Sequence, residues 1–130
     1  MTSLYASLEN GRPYMLSVLR IMAGLLFLEH GTAKYFGFPA AGPPMNTLLY
    51  VQAAIEIIGG ILVALGLYTR PVAFILAGNM AVAYFMAHFP KSFFPIANGG
   101  DAAVLYCFVF LYLFFAGGGA WSVDRAMKQD

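Results

Sequence analysis

Apolar residues fill four long stretches of the chain, and glycine, proline and a few charges mark the breaks between them. The first stretch covers 13–35, with Pro13 suited to an opening helical turn and with Arg20, Glu29, His30 and Lys34 interrupting an oily run. Segment 37–44 contains Gly37, Pro39, Gly42, Pro43 and Pro44 and cannot continue a helix. Asn46 or Thr47 can cap a second helix over 46–68, whose interior holds Gln52, Glu56 and Gly59-Gly60. The turn at Thr69-Arg70-Pro71 is so short that the second and third helices are expected to be antiparallel neighbours. Pro71 opens a third helix over 71–89, carrying Asn79, Tyr84 and His88. A loop through Pro95, Asn98, Gly99 and Gly100 leads to a fourth over 101–117, which Gly117-Gly118-Gly119 end before a polar tail from 122 onward.

Within the helices, polar and small residues recur at three- and four-residue steps. Arg20, Gly24, Phe27, Gly31 and Lys34 share one stripe, and Gln52, Glu56, Gly59, Gly60 and Val63 share another. Glycine and charge on one face imply that this face meets another helix. Counting about 1.5 Å per residue from each predicted end puts Arg20 and Asn79 at similar depth toward one side. Glu56 then lies near the middle, level with Tyr84, and Glu29, His30, Gln52, His88 and Tyr106 lie in the other half.

Composition turns these helices into membrane spans. With 61% hydrophobic residues, 10% charged and a mean hydropathy of +0.74, the chain cannot coat a soluble globule with polar groups. The expected fold is an all-α membrane protein, an antiparallel bundle of four transmembrane helices forming a single domain over 1–130, with room for about 20 residues per span. No small-residue cleavage site follows the run after Arg12, so the first helix reads as retained rather than as a signal peptide. Seven basic and six acidic residues give no electrostatic case for nucleic acid. Arg12, Arg70, Arg125 and Lys128 fall on one side of such a bundle and Lys34 and Lys91 on the other. The positive-inside rule then puts both termini in the cytoplasm, which in a bacterial inner membrane leaves the 1–2 and 3–4 loops outside.

Candidate chemistry is sparse. Cys107 is the only cysteine, which excludes an intramolecular disulfide or dithiol pair. Glu56 at mid-membrane must be paired, protonated or hydrated, and Arg20 is its expected partner; the plainer reading is a structural ion pair, the sharper one a proton carrier or ligand acceptor. His30 and His88, with Glu29 and Asp101, lack metal-ligand spacing within any helix, so no metal is expected. The chain has no dinucleotide, P-loop, nucleophile-elbow or haem-attachment motif and no intrinsic cofactor. His88, Asn98 and Asp101 gather where two oily segments meet, near Phe93 and Phe94. A quinone-like head group needs such aromatic walls plus a hydrogen-bonding residue such as His88 or Tyr84.

These residues resemble the DoxX family of small four-helix membrane proteins. The resemblance lies in Arg20 to Gly24, Phe27, His30-Gly31, Lys34, Glu56 to Gly60, Gly66-Leu67, Thr69-Arg70, Met80 to Ala83, His88, Phe94, Asn98 to Asp101, Gly117 to Gly119, Ser122 and Asp124. Asp101 departs from the glutamate found in many members, keeping the charge but shortening its reach. The family's namesake is associated with a thiosulfate:quinone oxidoreductase, and other members are labelled oxidoreductases or redox-stress proteins. The resemblance thus implies a redox and quinone association, mapped onto Arg20, His30, Lys34, Glu56, His88, Asn98 and Asp101. The expected function is a membrane subunit of a redox-linked system that binds a quinone or similar apolar ligand near the outer bilayer face and acts with a partner oxidoreductase. Without a complete catalytic motif, the chain would take part in enzymatic work only within such a complex. The alternative is a non-enzymatic protein, either a small-solute or proton pathway or an assembly factor. Its glycine-rich faces also suit a homo-oligomer.

Overall fold

The computed structural model describes residues 2–129, all of whose regular structure is helical. Helix α1 runs Thr2–Phe36, α2 Thr47–Leu65 and α3 Thr69–Ala83. A π-helical turn, Tyr84–His88, and a 3-10 turn, Phe89–Lys91, prolong α3. They are followed by the short α4, Pro95–Asn98, then α5, Asp101–Ala116, and the short α6, Val123–Ala126. Three of these segments, Ser3–Phe36, Thr47–Leu65 and Thr69–Lys91, are long and apolar enough to cross a membrane, and Asp101–Ala116 is a shorter apolar helix. At 16 residues α5 is about 24 Å long, against a hydrocarbon core of about 30 Å.

Several boundaries differ from the sequence expectation for local reasons. The first helix begins eleven residues before Pro13, because proline removes only its own N–H and the surrounding turns are exposed, so water can serve the carbonyl left over. The second ends at Leu65, where Gly66 takes a left-handed conformation (φ +71°) and returns its N–H to Leu62 and Val63 carbonyls. The third starts at Thr69, which places Pro71 within its first turn. The expected polar tail is partly structured: Ser122 accepts a hydrogen bond from Arg125 N and caps α6, with Ser122 and Asp124 both buried.

The chain forms two compact units. One holds α1, α2 and α6, and the other is Thr69–Gly117. In the first, α1 and α2 are antiparallel. The stripe of small and charged residues on α1 faces α2 as its spacing predicts: a Cβ on Gly24 would lie 2.6 Å from Ala64 N and 2.9 Å from Gly60 O, and one on Gly31 would lie 2.9 Å from Ala53 O. Backbones this close leave room for nothing larger than hydrogen. Phe27 sits between these contacts at 1% exposure. The second unit is an antiparallel pair of α3 and α5, in which Phe74 and Phe114 rings meet at 4.9 Å and Phe110 and Leu113 are buried.

This close approach makes Gly24→Ala an expected destabilisation of about 1–3 kcal/mol, seen as a lower melting temperature in detergent. Gly78→Ala, whose new methyl meets no atom within 4 Å, should leave melting unchanged or slightly raised. Equal melting of the two variants would refute the tight α1–α2 contact.

Candidate ligand site and buried polar network

Arg20 is 1% exposed in the first unit, and its partners are carbonyl oxygens, together with Ser17. Its Nε donates to Val63 O at 2.9 Å and its Nη2 to Trp121 O at 2.8 Å and Ala64 O at 3.3 Å. Its Nη1 donates to Gly118 O and reaches Ser17 Oγ at 3.5 Å. Val63 and Ala64 belong to the last turn of α2, whose carbonyls have no partner within the helix. Ser17 completes the clamp, donating to Gly118 O at 3.0 Å and accepting from Trp121 N at 2.9 Å. Gly119 must be glycine here, since its φ is +83° and a Cβ would lie 2.5 Å from Ser17 Oγ. Asp124 supplies the negative charge that acts on Arg20, while its Oδ1 accepts from Tyr68 N at 2.7 Å.

The partner of Glu56 is therefore not Arg20. Lys34 Nζ donates to Glu56 Oε1 at 2.5 Å, with the two side chains only 14% and 6% exposed. Antiparallel packing puts Glu56 opposite the end of α1, where Lys34 sits, and Arg20 opposite the end of α2. The loop after α1 folds back over the pair's base: a Cβ on Gly42 would lie 2.7 Å from Ala33 O and 3.0 Å from Lys34 Cα. Glu29 and His30 are exposed and line an open recess of about 170 Å³ with Ala33, Pro39 and Ala40. His30 Nδ1 donates to Leu26 O at 2.7 Å. Gln52 is half-buried on α2.

In the second unit the loop residues converge on Asn98, which is 2% exposed. Its Nδ2 donates to Tyr84 Oη at 2.9 Å and Ser92 O at 3.0 Å, and its Oδ1 accepts from Gly100 N at 2.8 Å. His88 Nδ1 lies 3.1 Å from Asn98 O. A carbonyl only accepts, so Nδ1 carries the hydrogen and Nε2 of the neutral ring is the basic atom. Around this cluster runs a chain of ring contacts, Phe85 to Phe89 at 5.5 Å, Phe89 to Phe93 at 5.9 Å and Phe93 to Phe94 at 5.3 Å. All four rings are exposed, presenting an apolar surface beside the histidine. Asp101 is exposed in the first turn of α5, where a carboxylate suits the helix dipole, and Asn79 is half-buried on α3. Arg70 Nη1 donates to Phe115 O at 2.9 Å in the last turn of α5. No cluster of three metal-ligating side chains occurs among the described residues.

Sequence reasoning thus named Tyr84, His88 and Asn98, carried Asp124 only within the family resemblance, and missed Ser92 and Ser17. The first of these acts through a backbone carbonyl that no residue type announces. Ser17 was findable, three residues before Arg20 and so on its face.

The DoxX family model matches residues 15–89. An uncharacterized protein of Haemophilus influenzae is 49% identical over 92% of this chain and 95% of its own length. The chain belongs to the DoxX family. The Bacillus subtilis protein named "Putative oxidoreductase CatD" is 42% identical over 46% of this chain and 49% of its own. The Escherichia coli "Inner membrane protein YphA" is 29% identical over 95% of this chain and 98% of its own. No solved structure matches. Within this DoxX chain, the family match ends at Phe89, the first residue of the 3-10 turn, so it takes in Arg20, Lys34, Glu56 and His88 but not Asn98 or Asp101.

A double-mutant cycle tests the pairing. Glu56→Gln leaves a part-buried ammonium without its counter-charge and should cost about 3 kcal/mol, and adding Lys34→Met should recover at least half. Arg20→Met combined with Glu56→Gln should instead be additive within about 0.5 kcal/mol. Coupling of Arg20 to Glu56 larger than that to Lys34, measured by melting in detergent, would overturn the assignment.

Proposed function

We propose that this DoxX protein is a membrane subunit of a redox-linked system. In this reading it binds a quinone or similar apolar ring at the His88 surface and passes its chemistry to a partner oxidoreductase that carries the redox centre. The observation that carries the reading is a histidine of fixed tautomer, anchored by a buried asparagine and bordered by four exposed phenylalanine rings. An apolar ring can lie on the phenylalanines while its oxygen reaches the polar cluster. The provisional oxidoreductase name of CatD and the redox association of the family point the same way. By contrast, the Lys34–Glu56 pair neutralises itself, which weakens the case for a proton pathway there.

The proposal includes an antiparallel bundle of four transmembrane helices in a bacterial inner membrane with both termini cytoplasmic. With Lys34 tied to Glu56, the mobile positive charges on the opposite side reduce to Lys91, which strengthens the positive-inside argument. The His88 surface then faces the exterior.

Two measurements test this. Extraction of protein purified in mild detergent should yield a quinone in near-stoichiometric amount, and Asn98→Ala should lose most of it while the protein stays folded. Quinone-free protein that also fails to take up added quinone sinks the ligand reading. In a Cys107→Ser background, Lys91→Cys should react with an impermeant maleimide from the periplasmic side. Labelling from the cytoplasmic side alone reverses the orientation.

A further inference from the structure

We infer that the His88 surface takes an aromatic ligand bearing a hydroxyl, a hydroquinone or phenol, in preference to the corresponding quinone; this rests on the reading that the surface binds a quinone-type ring. The argument follows from which hydrogen-bonding capacities the cluster leaves over. Gly100 N can only donate and Ser92 O can only accept, so their bonds to Asn98 at 2.8 and 3.0 Å fix the orientation of its amide. The fixed amide makes Asn98 Nδ2 a donor to Tyr84 Oη at 2.9 Å. Tyr84 must then send its own hydrogen elsewhere, and the acceptor it meets, Phe93 O, is 3.5 Å away, at the limit of a useful bond. The backbone carbonyl of the same asparagine holds His88 Nδ1–H and leaves Nε2 with a lone pair.

The cluster therefore offers one weakly engaged donor, Tyr84 Oη–H, and one acceptor, His88 Nε2. The two lie four residues apart on one π-helical turn, with ring centroids 6.3 Å apart and planes inclined by 31°. A quinone carbonyl accepts from Tyr84 but sets a second lone pair against His88. A ligand hydroxyl accepts from Tyr84 and donates to His88, satisfying both. One additional hydrogen bond corresponds to about tenfold in affinity.

Equilibrium binding to the full chain in nanodiscs, under anaerobic conditions, tests the inference with three probes of the same ring and short tail: the hydroquinone, its dimethyl ether and the quinone. The hydroquinone should bind about tenfold tighter than the other two. Tyr84→Phe should weaken hydroquinone and quinone alike and keep the preference, whereas His88→Phe should remove the preference. Equal binding of all three probes to the unaltered protein overturns the preference while leaving the ring-binding reading intact, and needs no variant to fold. A preference that survives His88→Phe overturns the assignment to Nε2. Failure of every probe to bind removes the ring-binding reading and the inference together.

Discussion

Helix ends in a low-dielectric surrounding must find donors for the carbonyls of their last turn, and the first unit is arranged to let Arg20 supply them. Water is scarce there, and each unmet carbonyl costs free energy of the order of a lost hydrogen bond. Arginine suits the task because its planar fork carries five donors at fixed angles and stays charged. From one position on α1 it serves the end of α2 and two carbonyls of the glycine turn that follows α5. The glycines at 24 and 60 bring the helices close enough for that reach. In the second unit Arg70 serves Phe115 O, in the last turn of α5, by the same physics, and cations near helix C-termini gain further from the dipole.

The helical stripes were legible because a period of 3.6 residues is written directly in residue spacing. Arg20, Gly24, Gly31 and Lys34 do line the face that meets α2. Who pairs with whom was misread, because Arg20 was matched to Glu56 by opposite charge alone, although the depth count set the two at different levels. A better signal lay in the glycines themselves. Setting Gly24 against Gly60, as close backbones require, brings Arg20 beside Ala64 and Glu56 beside the last turns of α1. Glu56 is then not needed to satisfy Arg20, whose donors are met by carbonyls and whose counter-charge comes from Asp124.

Composition also marked the loop at Asn98 as a place where polar groups gather, but not how they are used. The π turn at Tyr84–His88 leaves no trace in residue type, and Ser92 contributes a carbonyl that any residue possesses. The tail misled for a related reason. Ser122 and Asp124 open what reads as a polar tail, yet both are buried, one capping α6 and the other holding Tyr68 N. Their polarity serves the backbone rather than water.

These differences decide where chemistry is best sought in the molecule. Arg20 spends its donors on carbonyls, and Lys34 and Glu56 spend their charges on each other, so both sites are closed accounts that hold helices in register. Asn98 is likewise consumed, its amide by Tyr84, Ser92 and Gly100 and its backbone by His88 and Phe94. Tyr84 and His88 differ, because the bonds that anchor them leave one donor poorly met and one lone pair outward of the amide. Spare hydrogen-bonding capacity beside an apolar surface is costly to keep in a protein of this composition, and a π-helical turn is itself a departure from the cheaper α-helix. Two such costs falling on the same five residues are more readily explained by a ligand that relieves the first than by packing, which would be served as well by phenylalanine at both positions.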